Sequence, residues 1–199
     1  RHTRFKCDWS SDVCSSDLFA AIVTYVIFYL ITVFTLSWGT EELGFARQQF
    51  LLLQMLAVVF FALAIPVSAL GASRIGRWPM LMLASALVFV FGLFFEPLFS
   101  HGDAVKATVF MSIGLGLMGM TYGALGTALS ELFPTAVRYT GASVAFNVAG
   151  ILGGSLAPYI ATSLAKGYGV AYVGYYLSAA ALVTLCAQAL LRRTPPHVG

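Results

Sequence analysis

The stretch Leu129-Ser-Glu-Leu-Phe-Pro-Thr-Ala-Val-Arg-Tyr-Thr-Gly141 decides the fold of this chain. It is a short polar island between two long apolar runs, which extend over 106–128 and 141–165. Each run is long enough to cross a bilayer, because a spanning helix needs about 20 residues at a rise of about 1.5 Å per residue. The pattern therefore predicts two transmembrane helices joined by a tight turn that carries Glu131 and Arg138.

The composition of the whole chain extends this prediction. Of its 199 residues, 59% are hydrophobic and 10% are charged, whereas about 25% of the residues in ordinary soluble domains are charged. Lipid is therefore the predicted surrounding of most of the chain. The net charge of +3 indicates a bias among the loops and not a nucleic-acid partner.

Six apolar runs separated by polar or glycine-rich turns predict an all-α membrane protein with six transmembrane helices. Their approximate ranges are 19–38, 48–70, 79–98, 106–128, 141–165 and 170–191. From residue 19 onward, every lysine and arginine lies in a turn or at the end of a run. This distribution supports the division, because a charge at the bilayer centre costs about 2.5–3.5 kcal/mol on insertion scales.

The cationic residues divide unequally between the two sides of the predicted membrane. One side carries Arg74, Arg77, Arg138, Arg192 and Arg193, and the other carries Arg47, Lys106 and Lys166. Cytoplasmic loops are enriched in lysine and arginine. The first side, with both ends of 19–199, is therefore predicted to face the cytoplasm.

Residues 1–18 differ in kind from the rest of the chain. They are polar, repeat a Ser-Ser-Asp triplet, and resemble translated sequencing-adapter read-through. We expect this segment to be non-native and disordered, with no part in function. The natural chain is then expected to continue upstream, and 19–199 to be the C-terminal part of a longer protein.

A few polar side chains fall inside the predicted spans, and they are the candidates for lining a substrate cavity. They are Tyr25, Tyr29, Gln54, Tyr122 and Asn147. An amide in lipid is costly unless it is hydrogen-bonded, so the alternative for Gln54 and Asn147 is a bond between helices. For the tyrosines the alternative is an interfacial anchor or a core aromatic.

Two further sets of residues are predicted to act in conformational change. Pro66 and Pro158 are candidate helix hinges, because proline removes a backbone hydrogen bond. A candidate cytoplasmic gate, which would close in one conformer and open in the other, consists of Arg74, Arg77, Glu131 and Arg138. The alternative for these arginines is that they only set topology.

The residue types missing from the spans exclude several kinds of site. No His, Lys, Arg or Asp lies in the interior of a predicted span, so neither a metal or haem site nor a complete proton relay is expected there, and no cofactor is expected. An intramembrane serine protease would need a Gly-x-Ser-x-Gly motif and an intramembrane histidine, and the sequence has neither. The chain is therefore not expected to be an enzyme.

The charged turns resemble those of a known family. Glu131 to Gly141 resembles the loop between helices ten and eleven of major facilitator superfamily transporters, and Arg74-Ile-Gly-Arg77 resembles the loop between helices eight and nine. Arg138-Tyr-Thr-Gly-Ala-Ser143 and Gly153-Gly-Ser-Leu-Ala-Pro158 most resemble the metabolite:proton symporters within that superfamily. Tyr29-Leu-Ile-Thr-Val-Phe-Thr-Leu-Ser37 is similar to the seventh helix of that family.

The resemblance implies the C-terminal bundle of a twelve-helix carrier, built as a 3+3 inverted repeat in the bacterial plasma (inner) membrane. Such carriers import small carboxylates or zwitterions with protons by alternating access, and helices seven, eight, ten and eleven line their cavity. The implied partners are the substrate, protons, the lipid bilayer and a missing N-terminal six-helix bundle. The alternatives are a sugar-porter-type carrier, whose corresponding loop is similar, and a fragment that is inactive on its own.

Overall fold

The computed structural model describes residues 22–99, 103–131 and 138–191, and nearly all of their backbone is helical. The predicted non-native segment 1–18 lies outside these residues. The helices are α1 (Ile22–Glu41), α2 (Arg47–Ile75), α3 (Arg77–Leu93), α4 (Phe95–Phe99), α5 (Ala104–Glu131), α6 (Arg138–Tyr168) and α7 (Val170–Leu191). They confirm the all-α fold class.

Four of these helices contain segments that are long and apolar enough to cross a membrane. The segments are Ile22–Glu41, Arg47–Ile75, Ala104–Leu125 and Val170–Leu190. Only 11% of the apolar window of α2 is buried inside the bundle, and Leu52, Met55 and Leu63 are each at least 60% exposed. So large an apolar surface indicates contact with lipid or with another protein surface.

The third predicted run, 79–98, is divided in the structure. Helix α3 ends at Leu93, Phe94 leaves the helical conformation, and the short helix α4 follows. Pro97 explains the break, because it has no N–H to donate to the carbonyl of Leu93 and its ring crowds that turn. The remainder of the run therefore continues as a separate helix that contributes Phe95 and Phe99 to the core.

Single glycines make two of the turns between helices very short. Gly76, with φ +95°, joins α2 to α3, and Gly169, with φ +103°, joins α6 to α7. The amide of Gly76 donates to the carbonyl of Ala72 at 3.0 Å, which closes the end of α2. A positive φ is nearly free for glycine and strained for other residues, so these glycines keep the paired helices close together.

Small residues and side-chain hydrogen bonds hold the long helices together. A Cβ atom at Gly119 of α5 would lie 2.6 Å from the carbonyl oxygen of Phe61 on α2, so these two backbones are in direct contact. The Ser68 hydroxyl donates to the carbonyl of Met120 at 2.7 Å across the same pair. Close backbone approach and polar bonds between helices are typical of packing in lipid.

An aromatic cluster fills the core next to the break between α3 and α4. The ring centroid of Phe110 lies 4.7 Å from that of Phe95, 5.0 Å from that of Phe99 and 5.1 Å from that of Phe91. All four side chains are at most 5% exposed. This cluster stabilises α3, α4 and α5 against one another, because stacked and edge-to-face rings add to their area burial.

Candidate substrate-cavity face

Two tyrosines of α1 lie against glycines of α6. Tyr25 and Tyr29 are one helical turn apart and share a face. A Cβ atom at Gly153 would lie 2.6 Å from the Cβ atom of Tyr25, and one at Gly154 would lie 2.6 Å from Cε2 of Tyr29. The absence of side chains at these two glycines is therefore what admits the tyrosines.

A third tyrosine approaches from α5. The Tyr122 side chain is 44% exposed, and its ring centroid lies 6.1 Å from that of Phe61 on α2. Tyr25 packs against a small core cluster that includes Ala124 and Leu125 of α5, two and three residues after Tyr122. The structure thus packs Tyr25 and Tyr29 against α6 and places Tyr25 beside the part of α5 that carries Tyr122.

Asn147 lies on the face of α6 that receives the tyrosines. It is spaced three and seven residues from Gly150 and Gly154, so the three share one side of the helix, and a Cβ atom at Gly150 would lie 3.2 Å from Cε1 of Tyr25. The Asn147 side chain is exposed, and its Nδ2 donates to the carbonyl of Ser143 at 2.8 Å within α6. The Asn147 amide is therefore bonded within its own helix, on the side that carries Gly150 and Gly154.

Gln54 binds the backbone of α1 shortly after Tyr29. Its half-buried side chain extends from α2, and Nε2 donates to the carbonyl of Thr32 at 3.1 Å and lies 3.5 Å from that of Ile31. This bond between helices is one of the two roles that the sequence left open. It leaves the cavity role of Gln54 as a prediction.

The candidate gate is described only in part. Arg74 in the last turn of α2 and Arg77 at the start of α3 are both exposed, on either side of Gly76. Glu131 ends α5 and Arg138 begins α6, while their side chains and the loop 132–137 lie outside the described part of the chain. The latch between these groups stays a prediction.

Both candidate hinge prolines lie inside continuous helices. Pro66 is within α2 and Pro158 is within α6. The hydroxyl of Thr162 donates to the carbonyl of Pro158 at 2.8 Å. The structure places the prolines where a bend would move one helix half relative to the other, and their role as hinges stays a prediction.

Sequence reasoning missed two features of this region. The first is a π-helical turn in α1, Leu30–Phe34. The second is an apolar groove of about 370 Å³ between α2 and α5, lined by residues that include Phe60, Val67, Ile113 and Gly116. Residues 30–34 are part of one continuous apolar run, and a groove depends on how two helices are paired, so the apolar pattern alone predicted neither feature.

Comparison with known proteins decides the family. The pattern that defines the sugar (and other) transporter family matches residues 22–191. The chain belongs to this family of the major facilitator superfamily. The resemblance drawn from the charged turns is thereby confirmed.

Curated relatives of this major facilitator chain are named as transporters. It is 43% identical over 181 residues to the inner membrane metabolite transport protein YhjE of Escherichia coli K12, covering 88% of this chain and 41% of that protein. It is 33% identical over 171 residues to a citrate-proton symporter of Salmonella typhi, covering 85% of this chain and 39% of that protein. The chain thus spans about two fifths of the length of these relatives.

Proposed function

We propose that residues 19–199 form the C-terminal six-helix bundle of a secondary active transporter, which carries a small carboxylate or zwitterionic metabolite together with protons by alternating access. The observation that carries this proposal is the packing of Tyr25 and Tyr29 against the glycines of α6, on the helix face that also carries Asn147. Relatives named as a citrate-proton symporter, a shikimate transporter and a proline/betaine transporter support the substrate class.

The chemistry of this face suits a small polar metabolite. Tyrosine hydroxyls and an asparagine amide are neutral hydrogen-bond donors and acceptors. They can replace the water around a carboxylate without placing a fixed charge in the membrane, where such a charge is costly. The tyrosine rings supply apolar walls, and a few oriented polar groups among apolar walls are typical of small-molecule sites.

The proposed topology completes the carrier. Six spans arranged as two inverted triplets would place both ends of 19–199 in the cytoplasm of a bacterium, with the bundle in its inner membrane. A second six-helix bundle, preceding residue 19, would supply the other wall of the cavity and the group that carries the proton. Gln54 would line the cavity beside the tyrosines.

In this carrier the candidate gate and hinges would control access. Arg74, Arg77 and Arg138 would pair with Glu131 to close the cytoplasmic side. Pro66 and Pro158 would let the halves of α2 and α6 bend as the cavity opens, because each proline removes one backbone bond from its helix.

Uptake by the full-length carrier in proteoliposomes tests the proposal. Labelled citrate, shikimate, proline and glycine betaine would be supplied as separate probes with an inwardly directed proton gradient. We expect the gradient to drive accumulation of at least one probe, and an uncoupler to abolish that accumulation. The opposite result would be that none of the four probes accumulates with the gradient, while a hexose equilibrates across the membrane whether or not the uncoupler is present. That result would contradict proton symport and indicate a sugar-porter-type carrier.

A further inference from the structure

The π-helical turn Leu30–Phe34, which we call the π-turn, interrupts the regular hydrogen bonding of α1. The amide of Thr35 donates to the carbonyl of Leu30, five residues back instead of the usual four. One extra residue is accommodated in this turn, so the backbone ladder shifts by one position and a carbonyl loses its amide donor. π-Turns of this kind occur frequently at functional sites.

Side chains replace the missing amide donor. The hydroxyl of Thr35 donates to the carbonyl of Ile31 at 2.5 Å from within the helix. From α2, Gln54 Nε2 donates to the carbonyl of Thr32 at 3.1 Å and approaches that of Ile31 at 3.5 Å. The Gln54 side chain thus hydrogen-bonds the π-turn from a different helix, α2.

The two halves of α1 on either side of the π-turn are held by different helices. The first half packs against α6 through Tyr25 and Tyr29, and the amide of Val23 joins it to α7 by donating to the hydroxyl of Thr184 at 3.3 Å. The second half is fixed to α2, because a Cβ atom at Gly39 would lie 2.5 Å from the Phe50 ring. A bend at the π-turn would therefore move α6 and α7 relative to α2.

We infer that the π-turn is a joint in α1 and that Gln54 is a positioning residue that holds it in the substrate-free state. The Gln54 amide has only neutral carbonyl acceptors there. A carboxylate accepts hydrogen bonds about twice as strong as those between neutral groups. A carboxylate substrate therefore competes for the Gln54 amide and releases the joint. The substrate part of this inference rests on the proposed function, whereas the joint itself does not.

The distance across the joint tests the inference in the full-length carrier. Spin labels would be attached at Glu42→Cys, just beyond α1, and Tyr159→Cys on α6, both exposed positions. The native cysteines of the carrier, Cys186 among them, would first be changed to serine. Pulsed electron paramagnetic resonance then reports the label distance without citrate and with it. We expect citrate to shift the main distance of the parent protein.

Two variants should shift the distance without citrate. Gln54→Met keeps the side-chain volume and removes the amide donor, and Thr35→Val removes the other donor to the π-turn. Each should move the ligand-free distribution toward the one that the parent shows with citrate. Gln49→Met makes the same chemical change at an exposed position of α2, and should leave the distribution unchanged.

The outcomes separate the joint from its ligand. If both variants fold and give the ligand-free distribution of the parent, the inference is overturned. If the variants shift the distance distribution but citrate does not shift that of the parent protein, the π-turn is a joint as inferred, and its control by a carboxylate is overturned. This second result depends on the proposed substrate class, so the two failures can be distinguished.

Discussion

Two pairs of helices in this molecule use glycine in opposite ways. Between α3 and α7, Gly92 and Gly174 bring two backbones into contact, and the Ser178 hydroxyl donates to the carbonyl of Phe89 at 3.0 Å. Between α1 and α6, the glycines of α6 instead make room for the rings of Tyr25 and Tyr29.

The difference has a consequence for movement. Backbones in contact cannot slide past each other without steric overlap, whereas a ring beside a glycine can change its rotamer. The α3–α7 pair also contains the fully buried Gln188, whose Nε2 donates to the hydroxyl of Ser85 at 3.0 Å. We therefore expect the α3–α7 pair to stay rigid and the α1–α6 face to rearrange during transport.

The largest effect on stability is expected at Gly174. A Cβ atom there would overlap the carbonyl oxygen of Gly92 and lie 2.6 Å from the Cβ atom of Phe95. Overpacking usually costs about 1–3 kcal/mol, and Gly174→Ala should destabilise the bundle by at least this amount. The melting temperature of the detergent-solubilised carrier measures this loss of stability. The matched control is Gly167→Ala, since nothing lies within 4 Å of its Cβ position. Equal melting temperatures of the two variants would show that the backbones of α3 and α7 are not in contact.

A smaller loss of stability is expected at Gly119 of α5. Gly119→Ala would place Cβ 2.6 Å from the carbonyl oxygen of Phe61 and 2.8 Å from the Cβ atom of Ala64. The cost should be about 1–3 kcal/mol, because α2 must move away. Gly116→Ala on the same helix meets nothing within 4 Å, and should be neutral or stabilising by up to about 1 kcal/mol. A lower melting temperature for Gly116→Ala than for Gly119→Ala would contradict the packing of α2 on α5.

The apolar pattern of the sequence predicted much of the fold. Long hydrophobic runs become long helices because no other structure satisfies the backbone in lipid, and the spacing of Tyr25 and Tyr29 placed them on one face. The end of α3 was missed, although Pro97 could have indicated it.

The candidate site was less predictable than the helices. That Tyr25 packs against the part of α5 that follows Tyr122 depends on how α5 is placed beside α1, which no local pattern encodes. The same holds for Gln54, whose bond to the carbonyl of Thr32 joins residues 22 positions apart. Glycine density indicated close packing, but could not distinguish a contact between backbones from space made for a tyrosine ring.

At Gly154 we expect transport to suffer more than stability. A Cβ atom in Gly154→Ala would lie 2.6 Å from Cε2 of Tyr29. The ring can turn away at little cost to the fold, and its hydroxyl would then leave the proposed cavity. Gradient-driven uptake should therefore fall severalfold, while the melting temperature stays near that of Gly167→Ala. A melting temperature as low as that of Gly174→Ala would show that this face serves packing.

The smallest effect on stability is expected at Asn147. Asn147→Leu removes an exposed amide that hydrogen-bonds Ser143 within α6, so membrane insertion and the melting temperature should not change. Uptake should fall, because the cavity loses a polar group. Unchanged uptake, measured at equal amounts of protein in the membrane, would make Asn147 a surface residue without a role in transport.

We expect the α1–α6 face to border water and the exposed side of α7, which carries Val183, to border lipid. Asn147 and Val183 test it, because both are exposed in the bundle and lie at similar depth, nine residues after the start of α6 and eight before the end of α7. Each would be changed to cysteine in the cysteine-free full-length carrier and treated with a hydrophilic thiol reagent in membranes. We predict rapid labelling at position 147 and almost none at 183. Equal labelling of the two, or labelling at 183 alone, would contradict the claim.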